Sequence, residues 1–377
     1  MNKLAFILLP LLMAGFIKEK NDNYLKSNSS NKNDPMQYDG PYVLYKNGKV
    51  YSKYILKDEG KISVKVDSAT LSNKSTLSLS VLTDENGKTF SVKLKSELQN
   101  EKSDFPKVSK QFILSDIEGN FAAFRKLLQA NNVIDTNFNW IFGDGHLVLI
   151  GDFVDRGIQQ NEVLWLIYSL EEKAKAARGY VHFILGNHEI MNLNGDHRYL
   201  SAKYVESATL LNENFVSLYG EDSELGRWLR TKNVVEKIGD ILFCHGGISA
   251  AVNEMDIPAS KINKLVRPFL ADSTFPFKSP EVNILYGDFG PFWYRGYYSG
   301  EVKATQLQID STLSAYKVKH IATGHTVIAD TISFLYNGKI INTDVHHAKG
   351  HIEALLIEDG SYYRVTGFGE RFQVFLK

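Results

Sequence analysis

The sequence predicts an α+β protein, in which a small all-β domain is followed by a larger domain of alternating strands and helices. Between about residue 38 and residue 98, short runs with alternating β-branched residues are separated by Asn47-Gly48 and Asn86-Gly87. Asn-Gly is the strongest short-range signal for a β-hairpin. After Lys107, apolar runs typical of buried strands alternate with segments whose apolar residues recur at helical spacing. A chain of 377 residues, 44% of them hydrophobic, is large enough for these two domains.

The composition limits the class of partner. Lys plus Arg and Asp plus Glu number 43 each, so the formal net charge is zero. Such a chain has no overall electrostatic field that would attract nucleic acid or a membrane surface, and we expect it to bind no nucleic acid. Cys244 is the single cysteine, which excludes an internal disulfide framework.

The first 36 residues have the composition of two segments that precede a folded protein. Lys3 is followed by an apolar stretch at 4–17 and then by a polar run, which is the order of a secretory signal peptide. The stretch is too short to span a bilayer comfortably. We therefore expect a signal peptide at 1–20, a periplasmic or secreted protein, and no stable membrane insertion after signal removal; an uncleaved interfacial tether is the alternative. Residues 21–36, rich in Asn, Ser, Lys and Asp, predict a disordered linker.

The two folded domains are predicted at 37–105 and 106–377. The first, which is β-rich, offers no cluster of ionisable groups, and this favours a scaffold or packing role. In the second, strands are predicted at 112–114, 147–150 and 181–185 with helices between them. A β-α-β-α-β order favours parallel strands, whose carboxyl ends gather functional groups at one edge of the sheet.

Charged motifs follow the first two of these strands. Asp116 and Glu118 come after the first, and alternate side chains of extended backbone point the same way, so both can face one ion. Asp152, Asp155 and Arg156 come after the second. Uncompensated charge at a strand end is costly, so such a cluster usually has a metal ion or a phosphate as its partner. A polar turn with an Asp-Arg ion pair is the alternative.

Three further motifs carry the side chains of metal ligands. Each follows an apolar run, and they are Gly186-Asn187-His188-Glu189, His245-Gly246-Gly247 and Gly324-His325-Thr326. A lone His after a strand is more often structural than a ligand. Five motifs in series nevertheless supply oxygen and imidazole ligands for two divalent ions, with Asp152 as the natural bridge. Two such ions can activate a water and clamp both the attacking and the leaving oxygens of a phosphoryl transfer.

In this order, Gly-Asp-x-x-Asp-Arg-Gly, Gly-Asn-His-Glu, His-Gly-Gly and Gly-His-Thr resemble the phosphoprotein phosphatase branch of the calcineurin-like metallophosphoesterases. Residues 186–199 and 291–297 are similar to the bacterial Shewanella-like protein phosphatases of that branch. The resemblance covers roughly 112–356. It implies a β-sandwich core flanked by helices, and a hydrolase in which a hydroxide activated by two metals attacks a phosphate monoester directly. The substrate that it implies is a phosphorylated protein or a small phosphate monoester.

The resemblance also implies roles for individual residues. One ion would be held by Asp152, Asn187, His245 and His325, and the other by Asp116, Asp152 and the residue at 118. His188 would protonate the leaving-group oxygen while Asp155 orients its imidazole. Arg156 and Arg295 would bind phosphate oxygens, because guanidinium groups match phosphate geometry.

Glu118 departs from the family pattern, which has His at this position. If Glu118 coordinates, the first site is all-carboxylate, and oxygen-rich sites suit Mn²⁺ or Mg²⁺ better than a softer zinc-type site does. We therefore expect two divalent ions, Mn²⁺ first, with Mg²⁺, Fe or Zn²⁺ as alternatives. The extra negative charge would acidify bound water less and move the optimum toward higher pH.

Two other functions remain open at this point. A phosphodiesterase or nucleotidase of the same superfamily typically has Gly-Asn-His-Asp and Gly-His-x-His, whereas Glu189 and Val327 occupy those places here. A catalytically weak pseudophosphatase, acting as a binding module, would have Glu118 as the mark of a lost metal site. Arg198 either reaches substrate or forms an ion pair with Asp196 or Glu189.

Other histidines and tyrosines match no ligand spacing. Most of the histidines are expected to be structural or surface residues, with His346 and His347 as the pair closest to the fifth motif. Tyr294, Tyr297 and Tyr298 either line a substrate cleft or pack in the core, and their spacing does not decide between the two.

Overall fold

The computed structural model describes residues 38–58, 61–85, 87–300 and 303–375. The predicted signal peptide at 1–20 and linker at 21–36 lie outside the described residues.

The described chain begins with an all-β part. Strands β1 Tyr38–Lys46, β2 Lys49–Asp58 and β3 Lys61–Thr70 form an antiparallel sheet, and β4 Ser78–Leu82 pairs with β5 Thr89–Lys93. Asn47 and Gly48 make the turn between β1 and β2, and both have positive φ, at 51° and 74°. That backbone conformation is the one a two-residue hairpin turn requires, so the Asn-Gly signal correctly predicted this hairpin.

Twelve further strands of the described chain build two six-stranded sheets. They are β6 Asp104–Phe105, β7 Lys110–Leu114, β8 His146–Ile150, β9 Tyr180–Ile184, β10 Val235–Ile238, β11 Ile241–Cys244, β12 His320–Thr323, β13 Ser333–Leu335, β14 Ile340–Asn342, β15 Glu353–Glu358, β16 Ser361–Thr366 and β17 Arg371–Val374. The strand order is β17-β16-β15-β7-β8-β9 in one sheet and β13-β14-β12-β11-β10-β6 in the other.

The two sheets pack face to face. Val148 and Ile184 of the first sheet share a buried apolar cluster with Ile241 and Ile341 of the second. The facing sides of the two sheets are therefore packed with apolar side chains, and the outer faces are left for the helices. The predicted β-sandwich core with flanking helices is confirmed.

Ten α-helices lie in the described chain. They are α1 Phe121–Ala130, α2 Gln160–Ala176, α3 Asn187–Asn194, α4 Ala202–Leu210, α5 Phe215–Leu218, α6 Glu224–Leu229, α7 Ala250–Glu254, α8 Ala259–Val266, α9 Pro280–Tyr286 and α10 Gln306–Tyr316, with short 3₁₀ helices at Leu71–Thr76, Arg267–Phe269 and His347–Lys349. None of these helices is long and apolar enough to cross a membrane. Helices α1 and α2 connect the parallel strands β7, β8 and β9, as the β-α-β-α-β order predicted.

Helix α2 has two buried faces. It contacts β9 on one side and β1, β4 and β5 of the all-β part on the other. Trp165 and Tyr168 in this helix are fully buried, and the Trp165 indole N–H donates a hydrogen bond of 2.8 Å to the Pro41 carbonyl. The all-β part is therefore packed directly on a helix that leads out of the loop after β8.

The loops after β7, β8, β11 and β12 meet at one edge of the sandwich. The Asp116 N–H donates to the Gly151 carbonyl at 2.9 Å, and the Gly324 N–H donates to the His245 carbonyl at 2.9 Å. Asp116, Asp152 and His325 all have left-handed backbone, with φ between 52° and 66°. Non-glycine residues adopt this conformation at a cost, and such strain is typical of functional loops.

Candidate active site

A cluster of buried ligand atoms lies where these loops meet. Asp152, His245 and His325 each offer one ligand atom, and these atoms lie within 4.8 Å of one another. The Asp152 Oδ2 is 3.0 Å from the His245 Nε2, and the Asn187 Oδ1 is 3.1 Å from that same nitrogen. One carboxylate, one amide oxygen and two imidazoles form a donor set that fits a divalent cation.

Hydrogen bonds fix the ligand atom of His245. Its Nδ1 donates to the Ile150 carbonyl at 2.7 Å, which leaves Nε2 facing Asp152. This outer hydrogen bond is the usual way in which a metal-binding histidine is held in one tautomer. Burial lowers the pKa of His245, but the charge and hydrogen bond of Asp152, together with the charge of Asp116, outweigh burial and raise the pKa to about 9. Burial likewise opposes ionisation of Asp152, yet His245 and His188 hold its pKa well below the usual value.

Glycines allow the ligand loops to approach so closely. A Cβ at position 186 would lie 2.3 Å from the Asp152 Oδ1, and a Cβ at position 324 would lie 2.3 Å from the Asp116 Oδ2. Both contacts are too short for real atoms, so Gly186 and Gly324 are required by packing. Gly186 therefore leaves room for the Asp152 carboxylate, and Gly324 leaves room for the Asp116 carboxylate.

Asp116 lies beside this cluster. It is buried, and its two oxygens accept the His325 N–H at 3.3 Å and 3.1 Å. Burial raises its pKa to about 6, against the opposing charge of His245. These contacts hold Asp116 in place, and Asp116 and Asp152 would together bind a second ion.

Glu118 is not a member of the buried cluster. Its carboxylate forms an ion pair with the Arg156 guanidinium, and both side chains are partly exposed, at 21% and 33%. The structure therefore pairs the residue that departs from the family pattern with a predicted phosphate ligand. Two ligand sets fit two ions. One consists of Asp152, Asn187, His245 and His325, and the other contains Asp116 and Asp152.

His188 and Asp155 form a close pair at the start of helix α3. The His188 Nδ1 is 2.7 Å from the Asp155 Oδ2, and the His188 Nε2 is 3.8 Å from the Asp152 Oδ2. An ionised carboxylate only accepts, so Nδ1 carries a proton and Nε2 faces the ligand cluster. Burial lowers the pKa of His188, but Asp152 and Asp155 outweigh burial and raise it above its usual value. A raised pKa favours the doubly protonated ring that a proton donor needs.

The two predicted phosphate-binding arginines lie on different loops. The Arg156 guanidinium lies 5.2 Å from the centre of the Tyr199 ring, and the His188 ring lies 5.1 Å from the same centre. The exposed Arg295 donates to the His325 carbonyl at 2.6 Å and to the Thr326 hydroxyl at 2.9 Å. Both arginines are therefore fixed to loops that carry ligands or the histidine pair.

The sequence offered Glu189 only as an alternative ion-pair partner of Arg198, and the structure gives it a different role. Its carboxylate accepts three backbone N–H groups, from Asp152 at 2.9 Å, Phe153 at 2.8 Å and Gly186 at 2.8 Å. Burial and the nearby Asp152 raise its pKa to about 7. Glu189 thus ties the loop after β8 to the loop after β9. Its place directly after His188 was visible in the sequence, but its partners were not.

Asp344 and Tyr199 were also missed. Asp344 follows β14, is 5% exposed, and its pKa is raised well above the usual value by burial and by Asp116 and Asp152. An acidic residue soon after an apolar strand is the signal that marked the other motifs, and it could have found Asp344. Tyr199 lay inside the stretch that resembles Shewanella-like phosphatases but had no ligand chemistry to mark it.

Other candidates lie away from the site chemistry. Arg198 pairs with Asp196 at 2.6 Å, and His346 pairs with Asp330. Tyr294, Tyr297 and Tyr298 are buried among core residues, so their packing role is the one observed.

Known proteins are similar to this chain in sequence and in fold. The family model for calcineurin-like phosphoesterases matches residues 110–329. Shewanella-like protein phosphatase 1 of Plasmodium berghei (strain Anka) is 29% identical over 62% of this chain and 66% of its own length. Shewanella-like protein phosphatase 2 of Arabidopsis thaliana is 25% identical over 67% of this chain and 74% of its own. The chain thus spans just under two thirds of the Plasmodium relative.

A solved structure extends the similarity to the all-β part. The cold-active protein-tyrosine phosphatase of a psychrophilic Shewanella is 36% identical, with a TM-score of 0.80 over 90% of this chain and all of that one. The match confirms the predicted Shewanella-like branch and the α+β fold. The chain belongs to the calcineurin-like phosphoesterase family.

Proposed function

We propose that the protein hydrolyses aryl phosphate monoesters, phosphotyrosine among them, with two divalent ions of which Mn²⁺ is the best suited. The observation that carries this proposal is the His188–Asp155 pair, which faces the cluster of Asp152, His245 and His325. Tyr199 lies beside both His188 and Arg156, and its ring offers an aromatic wall to an aryl group. The name of the Shewanella relative supports the same substrate class.

We assign the metal ligands from the predicted set, with Glu118 left out because its carboxylate pairs with Arg156. Asp152, Asn187, His245 and His325 would hold one ion, and Asp116 and Asp152 the other, with Glu118 within the same loop. Two bound ions would lower the pKa of a water and neutralise phosphate charge. The carboxylates of Asp116 and Asp152 supply oxygen ligands, and oxygen ligands suit Mn²⁺ or Mg²⁺.

The protein's own groups act at the leaving oxygen and at the phosphate. His188 donates its Nε2 proton to the leaving oxygen, while Asp155 keeps the proton on Nδ1 and holds the ring in place. Arg156 and Arg295 bind the remaining phosphate oxygens with their N–H groups. Arg156 must exchange Glu118 for phosphate, so a substrate competes with an ion pair that already exists in the protein.

Substrate profiling tests the proposal. The purified protein, loaded with Mn²⁺, is assayed on a phosphotyrosine peptide, a phosphoserine peptide and bis-p-nitrophenyl phosphate. We expect the fastest turnover on phosphotyrosine and little on the diester. Preference for the diester would support a phosphodiesterase instead. Inert protein that contains no metal would support a pseudophosphatase.

We also propose that the protein is exported to the periplasm or secreted. Support comes from the order of Lys3, the apolar stretch at 4–17 and the polar run after it. Cell fractionation and the mass of the mature protein test this. Full-length protein in the cytoplasm would contradict it.

A further inference from the structure

A chain of buried hydrogen bonds joins the N-terminal β-sheet to the His188–Asp155 pair. Its members are Asp39, Asn161, Tyr219, Gln160, Asn192 and Asp155, and each side chain is at most 1% exposed. We call these six residues the hydrogen-bond chain. Buried polar groups of this kind are protected from water, so each depends on its neighbour for a partner.

Two residues of the hydrogen-bond chain hold Asp155 directly. The Asn192 Nδ2 donates to the Asp155 Oδ1 at 2.7 Å, while the other oxygen, Oδ2, lies 2.7 Å from the His188 Nδ1. The Asp155 N–H donates to the Gln160 Oε1 at 3.2 Å. Both carboxylate oxygens and the backbone are therefore engaged, and the carboxylate can turn only if these bonds break.

Gln160 links this end to the rest of the hydrogen-bond chain. Its Nε2 donates to the Asn192 Oδ1 at 3.3 Å and to the Tyr219 hydroxyl oxygen at 2.9 Å. The Tyr219 hydroxyl in turn donates to the Asn161 Oδ1 at 2.8 Å. The Gln160 amide therefore bonds both to the Asp155 end and to the Asp39 end of the hydrogen-bond chain.

The far end lies in strand β1 of the all-β part. The Asn161 Nδ2 donates to the Asp39 Oδ1 at 3.0 Å. Asp39 also accepts the Gly40 N–H at 2.9 Å and the Tyr42 hydroxyl at 2.6 Å, and it pairs with Lys203 at 3.3 Å. This carboxylate is therefore a fixed anchor.

The direction of every bond is set by the two ends. The Asn161 and Asn192 side chains each donate to the nearer carboxylate, of Asp39 and Asp155, so each amide turns its NH₂ group toward that end. Their oxygens then accept from Tyr219 and Gln160, and no alternative orientation satisfies all members. A network with one allowed arrangement holds its terminal group more rigidly than separate bonds would.

We propose that the hydrogen-bond chain positions Asp155, and through it His188, so that the N-terminal β-sheet takes part in proton donation. Gln160, Asn192 and Tyr219 are positioning residues, and Asp39 is their anchor in the sheet. The proposal rests on the function proposed for His188 as proton donor. It gives the all-β part a role beyond packing.

Leaving-group dependence provides the test. A proton donor matters most when the leaving oxygen is basic, as in phenyl phosphate, and least for p-nitrophenyl phosphate. Tyr219→Phe deletes one hydroxyl and retains the ring, which packs 5.3 Å from the Phe215 ring centre. In the fully metal-loaded protein we expect kcat to fall about tenfold on phenyl phosphate and less than about twofold on p-nitrophenyl phosphate, with unchanged KM.

Tyr168→Phe is the matched control. Tyr168 is equally buried in helix α2, and its hydroxyl bonds the Glu224 carboxylate at 2.5 Å and the Lys95 N–H at 2.7 Å, away from Asp155. We expect a similar loss of stability but the same ratio of the two rates as in the unmodified protein. If Tyr219→Phe shows that unchanged ratio as well, the proposal is wrong.

Two further variants separate the possible failures. His188→Ala must lower the phenyl phosphate rate more than the p-nitrophenyl phosphate rate; if it does not, the proposed role of His188 fails. If it does, and Tyr219→Phe does not, only the hydrogen-bond chain is refuted. Asp39→Asn tests the anchor in the sheet should Tyr219→Phe fail to fold, and we expect a smaller change of the ratio in the same direction.

Discussion

Asp152 is the residue that connects the ligand cluster with the histidine pair. Its Oδ2 lies near both His245 and His188, and its Oδ1 accepts the His188 N–H at 3.0 Å. We expect Asp152→Asn to lower ion affinity and to reduce kcat by at least about 100-fold, because the bridging charge is lost. Metal content and turnover of phosphotyrosine measure this. Asp196→Asn, at an exposed ion pair, serves as the control, and an Asp152→Asn protein with normal rate would refute the bridging role.

Glu118 gives a prediction with a defined direction. Glu118→His removes one negative charge from the site loop and frees Arg156 from its ion pair. We expect the optimum of the pH-rate profile to move to lower pH, because a less negative site acidifies water more strongly. Calorimetric titration with Mn²⁺ provides a second readout that does not depend on turnover. An unmoved profile with unmoved Mn²⁺ affinity would contradict the prediction.

The sequence predicted those site residues whose chemistry is visible in the side chain itself. Asp116, Asp152 and His245 follow strands and carry ligand atoms, so their type and place suffice. Glu189 and Asn192 act through backbone N–H groups and a carboxylate that only the folded chain brings near. Such contacts depend on tertiary geometry, and no spacing in the sequence encodes them.

At the scale of elements, a buried charge network joins the segment after β5 to helix α2. The Lys232 Nζ is 2.6 Å from the Glu171 Oε1 and 2.8 Å from the Glu101 Oε1, and Lys232 is almost fully buried. Removing Lys232 takes the cation from Glu101 and leaves Glu171 with Lys95 as its remaining buried cation. We expect Lys232→Met to lower the free energy of unfolding by about 3 kcal/mol.

Urea denaturation measures this loss. Lys175→Met breaks an exposed pair with Glu172 and is the control, for which we expect a change within about 0.5 kcal/mol. Equal stability of the two variants would show that the buried network contributes no more than a surface pair. No sequence pattern indicated this network, because its members are far apart along the chain.

Element types were more predictable than element contacts. The hairpin at Asn47 and the parallel order of β7, β8 and β9 follow from turn chemistry and from apolar periodicity. The partner of the second face of α2 could not be predicted. Apolar residues on a helix show that a face is buried, but they do not show whether it contacts a sheet of the same domain or a second domain.

At the scale of the whole molecule, histidines connect the two sheets of the sandwich. The His146 Nδ1 lies 2.8 Å from the His182 Nε2, and the His182 Nδ1 lies 2.8 Å from the Glu236 Oε2 of β10. Burial, with a smaller effect of His182, lowers the pKa of His146 to about 4. As pH falls, His146 is therefore protonated first in the unfolded chain, near its ordinary pKa of about 6.5. In the folded chain it is protonated only near pH 4.

The consequence is a stability that depends on pH. The contribution of His146 is fully present above about pH 6.5 and is lost as pH falls toward 4. We expect the Tm at pH 5 to lie below that at pH 7, and the difference to shrink in His146→Gln. Differential scanning fluorimetry at the two pH values measures it. The same difference in both proteins would show that other groups cause the loss.

The two buried faces of helix α2 limit how this chain can be divided for expression. Trp165 and Tyr168 are buried, and deleting the all-β part would expose apolar surface of this helix to solvent. A fragment that begins at residue 106 is therefore expected to be poorly soluble unless that surface is replaced by polar side chains.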